Sequence, residues 1–327
     1  MSTVSDTAVE FRTAVRDALD EELARDESVL LFGEDIAVAG GVFVTTPGLA
    51  EKYGEARVFD TPISELALIG AAFGSAVTGK RPVIEIMFGD FLPLVMDGIV
   101  NQCTKYWYIS NEQASVPLVV LSVVGAGGRF GAIHSQTPIA WFHSVPGLKI
   151  ACPSTPGDAK GLLKQAIRDD NPVLFLEHKR LLGIKGEVGD EPLPFGQARI
   201  ARAGADLTIV SVMKGVHDAL AAAEQLAPDA IDCEVIDLRT IKPLDIETVV
   251  ASVERTTRLL VVEEGPLSGG WAGEVVARVT EQALGSLDDA WRLATADTPI
   301  PYSPPLEDAF LPQADAIVAS VRERLGA

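Results

Sequence analysis

Short apolar runs without polar alternation set the strongest limit on this chain. They are VLLF (29–32), PVIEIMF (82–88), PLVVLSVV (117–124), LKIA (148–151) and PVLFLE (172–177). A strand with one wet face alternates apolar and polar residues, whereas a run that is apolar throughout is covered on both faces, as in a parallel sheet. Helix-like stretches separate the runs: EFRTAVRDALDEELARD, ELALIGAAFGSAVTG, FLPLVMDGIVNQCTKYWYI and PGDAKGLLKQAIRDD. The alternation predicts an α/β fold with helices on both sides of the sheet. Residues 184–198 turn to Gly, Pro and charge and read as a linker. Beyond it DLTIVSV, CEVIDL and RLLVVEE alternate with helical stretches through VHDALAAAEQLA, from Asp245 and from Trp271. The expectation is two doubly wound, mainly parallel-sheet domains, 1–183 and a smaller 199–327, with PIPYSPPLEDAFLP extended before a terminal helix.

Composition excludes several functions. A net charge of −19 is wrong for nucleic acid, whose phosphates require clustered Lys and Arg. It suits a basic protein partner, or simply a solvated surface. No run approaches the ~20 apolar residues that cross a bilayer, so no membrane is expected. MSTVSDTAVEFR has the features of neither a signal nor a transit peptide. Cys103, Cys152 and Cys233 lie too far apart for a CxxC metal site or a disulfide framework, a usage that fits the cytoplasm. His134, His143, His178 and His217 lack metal-ligand spacing.

One carboxylate demands a reason. In VFDTPISE (58–65), Glu65 stands where a short strand turns into a helix apolar on every face. A buried carboxylate is costly unless it is paired or protonated. Either backbone N–H groups at the helix start satisfy it, or its surroundings raise its pKa for chemistry.

Three glycine-rich motifs carry less. GSAVTGKR (74–81) has Arg81 where a P-loop has Ser or Thr, and its Gly-Lys pair ends a helix instead of opening one. GAGGRFG (125–131) puts Phe130 on the third glycine of a dinucleotide fingerprint and runs on to Pro138. It reads as a loop that lets backbone approach a ligand. GPLSGGWAG (265–273) is either an anion site at a helix start or a close-packed strand-to-helix turn.

Taken together, LFGEDIAVAGGVF (31–43), RVFDTPISE (57–65), GKRPVIEIMFGDF (79–91), HSQ (134–136), PGLKIACPST (146–155), EVIDLRTIKPLD (234–245) and VVEEGPLSGG (261–270) resemble the beta subunit of thiamine-diphosphate-dependent 2-oxoacid dehydrogenases. The likeness covers nearly the whole chain in order. It implies a pyrimidine-binding transketolase-like domain followed by a transketolase C-terminal-like domain. It also implies decarboxylation of a 2-oxoacid, pyruvate favoured over acetoin or a branched-chain acid, with transfer of the acyl group to lipoyl lysine. In that reading Glu65 hydrogen-bonds the cofactor's aminopyrimidine ring, Phe91 packs on it, and Ile63 and Leu94 lie beside it. His134 assists transfer to the lipoyl group. Potassium in the family is held mostly by backbone oxygens, which here match Leu118, Ala166, Asp169 and Asn171. The plain alternatives are a core Phe91, a loop-shaping His134 and a helix-end Asp169.

Departures fall at the substrate end. Asp97-Gly98-Ile99-Val100-Asn101 replaces the family's D-Q-I-x-N, Leu94 replaces a Gln, and VVGAGGRFGAI replaces an Arg-x-Pro loop. The family's magnesium is held by a Gly-Asp-Gly motif, and no Gly-Asp pair here is followed by Gly. The resemblance therefore implies an alpha subunit that holds magnesium and shares the cofactor in an α2β2 tetramer, and an acyltransferase core docked on the C-terminal domain. A non-catalytic scaffold homologue is the rival reading, and a nicotinamide oxidoreductase built on GAGGRFG stands third.

Overall fold

The computed structural model describes residues 8–326. The reading of the N-terminus as free of a leader falls largely on the seven residues before them. The chain folds as two compact units. One runs to Val124 and resumes over Phe142–Phe195, and the other comprises Gly125–Trp141 and the residues from Gly196 onward.

In the first unit the apolar runs become strands β1 (Val29–Gly33), β2 (Val58–Asp60), β3 (Arg81–Phe88), β4 (Val119–Val124), β5 (Lys149–Ala151) and β6 (Val173–His178). They pair in parallel in the order β5-β6-β4-β3-β1-β2. All of β4 and β6 is buried, as strands covered on both faces must be. Helix α1 (Phe11–Arg25) buries Phe11, Ala14, Val15, Ala18 and Leu19 at helical spacing. It packs on α3 (Pro156–Arg168), where Arg168 Nη2 donates to the buried Glu22 at 2.6 Å. Thr155 caps α3 by accepting the Asp158 N–H. Helix α2 (Glu65–Val77) ends at Gly79, whose φ of +95° makes it a left-handed cap. That ending rules out a P-loop at 74–81.

FLPLVMDGIVNQCTKYWYI does not form one helix. It breaks into a 3-10 segment Gly89–Val95, a π segment Gly98–Cys103 and a short helix Tyr106–Ile109. Pro93 removes a donor from the first. Gly98 lies hard against α2, where a Cβ would stand 2.6 Å from Ile69 Cγ1. The small residue at 98 is thus matched to a bulky one at 69.

The second unit is built on a five-stranded sheet of β7 (Arg199–Arg202), β8 (Leu207–Ser211), β9 (Cys233–Asp237), β10 (Arg258–Pro266) and β11 (Asp289–Thr295). Their order is β11-β10-β8-β9-β7, parallel except for the edge strand β7, which runs antiparallel to β9. Helices α4 (Lys214–Leu226), α5 (Ile246–Thr256) and α6 (Trp271–Ala283) connect the strands. Ile209, Val216, Val235, Leu260, Val262 and Ile317 form part of its core. The tail expected to be extended instead contains α7 (Pro304–Phe310), which Pro304 starts, before α8 (Ala314–Leu325).

Candidate functional site

In doubly wound sheets ligands bind beyond the carboxyl ends of strands, where the strand order reverses. In the first unit that reversal lies between β1 and β3. Glu34 follows β1, and the segment carrying Phe91 and Leu94 follows β3. Ile63 and Glu65 follow β2, on the other side of β1. Asp60 secures this end by accepting Ala37 N–H at 2.7 Å and Val38 N–H at 3.2 Å.

Glu65 is the first residue of α2, where the N-terminal dipole favours a carboxylate. Ser64 makes no side-chain cap. Glu65 is half-exposed, a correction to the dry enclosure expected of it. The cause is that Leu66, Ala67, Gly70 and Ala71 of the same helix face solvent in this chain. Ile63 is 83% exposed and Leu94 55%. The Phe91 ring is half-exposed and meets Phe88 edge-on at 5.7 Å, and Phe88 meets Phe43 at 5.5 Å in the same way. Trp107, Tyr108 and Ile109 extend the exposed apolar surface.

Behind Glu65 stands a file of acids that sequence reasoning missed. Burial, then the like charges of Glu65 and Asp35, hold Glu34 above the usual carboxylate range. Glu85 is buried in β3, and burial pushes it to about 7, with a hydrogen bond from Thr45 opposing and Glu34 adding to the rise. Glu177 in β6 reaches about 8 through burial and repulsion from Glu85. Glu85 Oε1 and Glu177 Oε2 have no hydrogen-bond partner among the described residues. Gly33 makes room for Glu85, since a Cβ there would lie 3.0 Å from the Glu85 carbonyl. The sequence did carry a signal for two of them: Glu85 and Glu177 are each the single acid in a mostly apolar strand, the same oddity that marked Glu65.

The residues matched to potassium ligands lie just before β4 begins and where α3 ends. The Leu118 carbonyl accepts Val173 N–H at 2.9 Å, and the Ala166 carbonyl accepts Asp169 N–H at 3.3 Å. The Asp169 carbonyl accepts Arg81 Nη1 at 3.0 Å. Asp169 is also the C-cap of α3. Burial pushes its carboxyl up, but hydrogen bonds from Lys149 and Asn171 outweigh that and hold it below the usual range. Among the described residues no group of three or more His, Cys, Asp or Glu is arranged to hold a metal ion.

His134 lies in the second unit, half-exposed on the loop Gly125–Trp141. A cavity of about 380 Å³ opens beside that loop, lined by Ser135, Gln136, Trp141, Glu264, Pro266 and Phe310 among others. Ser135 Oγ is buried without a hydrogen-bond partner among the described residues. The start of α6 is no anion site, because the Glu263 carboxylate already accepts Trp271 N–H at 3.1 Å and Ala272 N–H at 2.9 Å. Burial pushes Glu263 to about 7. All three cysteines are buried and outside any disulfide, with the Cys103 thiol pushed up to about 12 and Cys233 to about 11 by burial. Those two are poor nucleophiles.

Two family models account for almost the whole chain: the transketolase pyrimidine binding domain matches residues 7–185 and the transketolase C-terminal domain residues 196–317. Among similar proteins, the beta subunit of acetoin:2,6-dichlorophenolindophenol oxidoreductase from Cupriavidus necator is 45% identical over 96% of this chain and 97% of its own length. The mitochondrial pyruvate dehydrogenase E1 component subunit beta of Ascaris suum is 45% identical, covering 97% and 90%. The 2-oxoisovalerate dehydrogenase subunit beta of Bacillus subtilis is 43% identical, covering 97% and 98%. A solved split-gene transketolase, described as an inactive beta4 tetramer, superposes with a TM-score of 0.81 at 22% identity over 96% of this chain and 98% of that one. This last likeness is one of fold alone.

Proposed function

Because this chain belongs to the family of transketolase-like E1 beta subunits of 2-oxoacid and acetoin dehydrogenases, we propose that it supplies the pyrimidine half of a thiamine-diphosphate site completed by an alpha subunit. The observation that carries the reading is Glu65, half-exposed at a helix start beside the burial-raised Glu34, with exposed Ile63 and Leu94 also beyond the carboxyl ends of this sheet's strands. An apolar rim around an acid fits an aromatic heterocycle with a basic ring nitrogen.

Glu65, Phe91, Ile63 and Leu94 would hold thiamine diphosphate there, and the cofactor would supply a nucleophilic carbon for the keto group of a 2-oxoacid. Glu65 holds and shares a proton at the pyrimidine ring nitrogen. Phe91 packs on the ring, while Ile63 and Leu94 exclude water once an alpha subunit covers them. Across the whole reaction a 2-oxoacid anion, a lipoyl disulfide and a proton become carbon dioxide and an S-acyl dihydrolipoyl thioester. The S–S bond breaks, one sulfur takes the acyl group, and the other takes a proton, which His134 delivers. Magnesium is held by the alpha subunit. Potassium fits the carbonyls of Leu118, Ala166, Asp169 and Asn171, because the first three each accept one N–H and keep a second lone pair.

The working unit is an α2β2 tetramer, and pyruvate is the favoured substrate. Acetoin is the second reading, supported by the acetoin-oxidising relative. Calorimetric titration of thiamine diphosphate with magnesium is expected to show binding to the alpha–beta pair and none to this chain alone. Turnover of pyruvate, acetoin and 2-oxoisovalerate by the pair then ranks the substrates. Tight binding to the lone chain would overturn the shared site.

The C-terminal unit, residues 200–327, docks the assembly on its acyltransferase core through a small basic domain. Binding is expected to weaken steeply as ionic strength rises. Affinity unchanged between low and high salt would remove that docking mode. Among the described residues no helix is long and apolar enough to cross a membrane. The three reduced cysteines support a cytoplasmic setting.

A further inference from the structure

The loop that presents His134 is held at two places by carboxylates from its own unit. At its base Gly125 N–H donates to the Gln136 carbonyl at 3.4 Å. Glu264 Oε1 bridges that base, accepting Ala126 N–H at 2.7 Å and Thr137 Oγ1–H at 3.2 Å. Farther out, Glu307 of α7 is 0% exposed, and its carboxylate takes Gly127 N–H at 2.9 Å, Arg129 N–H at 3.2 Å and Arg129 Nη1 at 2.7 Å. Arg129 Nη2 spans both Asp308 oxygens at 2.8 and 2.9 Å, and Nη1 also reaches the Pro304 carbonyl at 2.9 Å. The planar guanidinium, with five donors in a fixed fork, is suited to holding two carboxylates and a carbonyl at once.

The backbone shows the effect of this grip. Arg129 sits at φ +65°, a left-handed conformation that a non-glycine residue keeps only when its surroundings enforce it. Here both its N–H and its side chain end on Glu307. Two residues later Gly131, at φ +75°, meets the Tyr302 ring, where a Cβ would stand 2.8 Å from Cδ2. The Gly131 carbonyl then accepts His134 N–H at 3.4 Å. A continuous set of contacts thus runs from a buried carboxylate to the histidine backbone.

We infer that Arg129, Glu307 and Asp308 form a latch that positions His134 for the proton transfer to the departing lipoyl sulfur. The inference rests on the role proposed above for His134. Glu307 and Arg129 are positioning residues and touch no reacting atom. The latch is specific to acyl transfer: loosening it leaves the Glu65 chemistry in the other unit alone. Misplacing a catalytic group by about 1 Å costs up to about 10²-fold in rate.

The test uses the reconstituted alpha–beta enzyme and two assays. One is 2-oxoacid-dependent reduction of a dye acceptor, which needs no lipoyl group. The other is reductive acylation of a free lipoyl domain. For Arg129→Met, kcat for lipoyl acylation is expected to fall at least about tenfold, while dye reduction changes by less than about twofold. A His134→Ala background should absorb the effect, so that R129M/H134A acylates no more slowly than H134A. Equal losses in both assays, or additive losses in the double variant, would overturn the latch. If H134A acylates normally, the role of His134 and the latch fall together. If H134A is slow while R129M is normal, the latch alone falls. Should R129M not assemble, Glu307→Gln, which keeps the volume and one acceptor oxygen, carries the same expectations. Amide hydrogen exchange over 125–131 should speed up in either variant.

Discussion

Replacing Glu65 by Gln is expected to leave the alpha–beta assembly intact and to lower kcat by roughly 10²–10⁴-fold, the usual worth of a positioned proton-transfer group. Gln keeps the volume and a hydrogen bond to the pyrimidine but has no proton to share. Glu65 has the features of such a group. It starts α2, where the helix dipole favours the charged form, while Glu34 behind it is pushed towards protonation by burial and by Glu65 itself. Burial and the neighbouring charge thus raise the proton affinity of Glu34, the acid beside Glu65. Size-exclusion chromatography and dye-linked turnover of the E65Q enzyme decide the matter. Turnover within a few-fold of the wild type would take Glu65 out of the reaction.

The second large effect concerns stability. Burial pushes Glu177 up to about 8 in the folded chain and Glu85 to about 7, against 4.5 for a solvated glutamate. The native state holds these protons more tightly than the unfolded state does. Their contribution to stability is therefore full below about pH 4.5 and is lost as pH rises through 7 and 8. The groups facing the pair are carboxyls and a hydroxyl: Glu34, Thr45 and each other. Above pH 8 the fold therefore carries buried charges, each with one oxygen unpartnered among the described residues. Glu177→Gln removes one of these charges without a change in shape. Its Tm is expected to exceed that of the wild type by several degrees at pH 8.5 and to match it near pH 5.5. Thermal scans across that range would show two parallel curves if the pair did not titrate.

How much of this could be read from the sequence depended on where each element's neighbours come from. The strands β1, β3, β4 and β6 are legible because burial on both faces leaves them mostly apolar without polar alternation, and the caps at Thr155 and Asp245 mark their helices by side-chain chemistry. The edge strand β7, RIAR, has no such pattern, since one side pairs and the other faces water. Helix α7 hid behind its prolines, although Pro304 at its first turn is a start signal. The split of the 89–109 stretch followed from Pro93 and from the close approach of Gly98 to Ile69, and only the first of these is visible in one dimension. Glu65 drew attention as a lone acid among apolar residues, yet Glu85 and Glu177 fit that description better and are the buried ones. Their strands already looked complete as sheet interior, so the acid in each passed as an exception. The exposure of Glu65 was illegible for another reason: what covers the apolar face of α2 is not encoded in this chain's own packing.

The placement of Gly125–Trp141 has an evolutionary consequence. The segment is encoded within the gene's first half but folds with the second, where Glu264, Glu307 and Tyr302 receive it. A cut or crossover anywhere in 184–198, the obvious seam by composition, would hand the loop to one fragment and all three of its anchors to the other. The two halves are therefore not interchangeable cassettes. A recombinant inheriting each from a different parent keeps both sheets yet must reconcile Arg129 from one lineage with Glu307 and Asp308 from the other, which ties their histories together across almost 180 residues of chain.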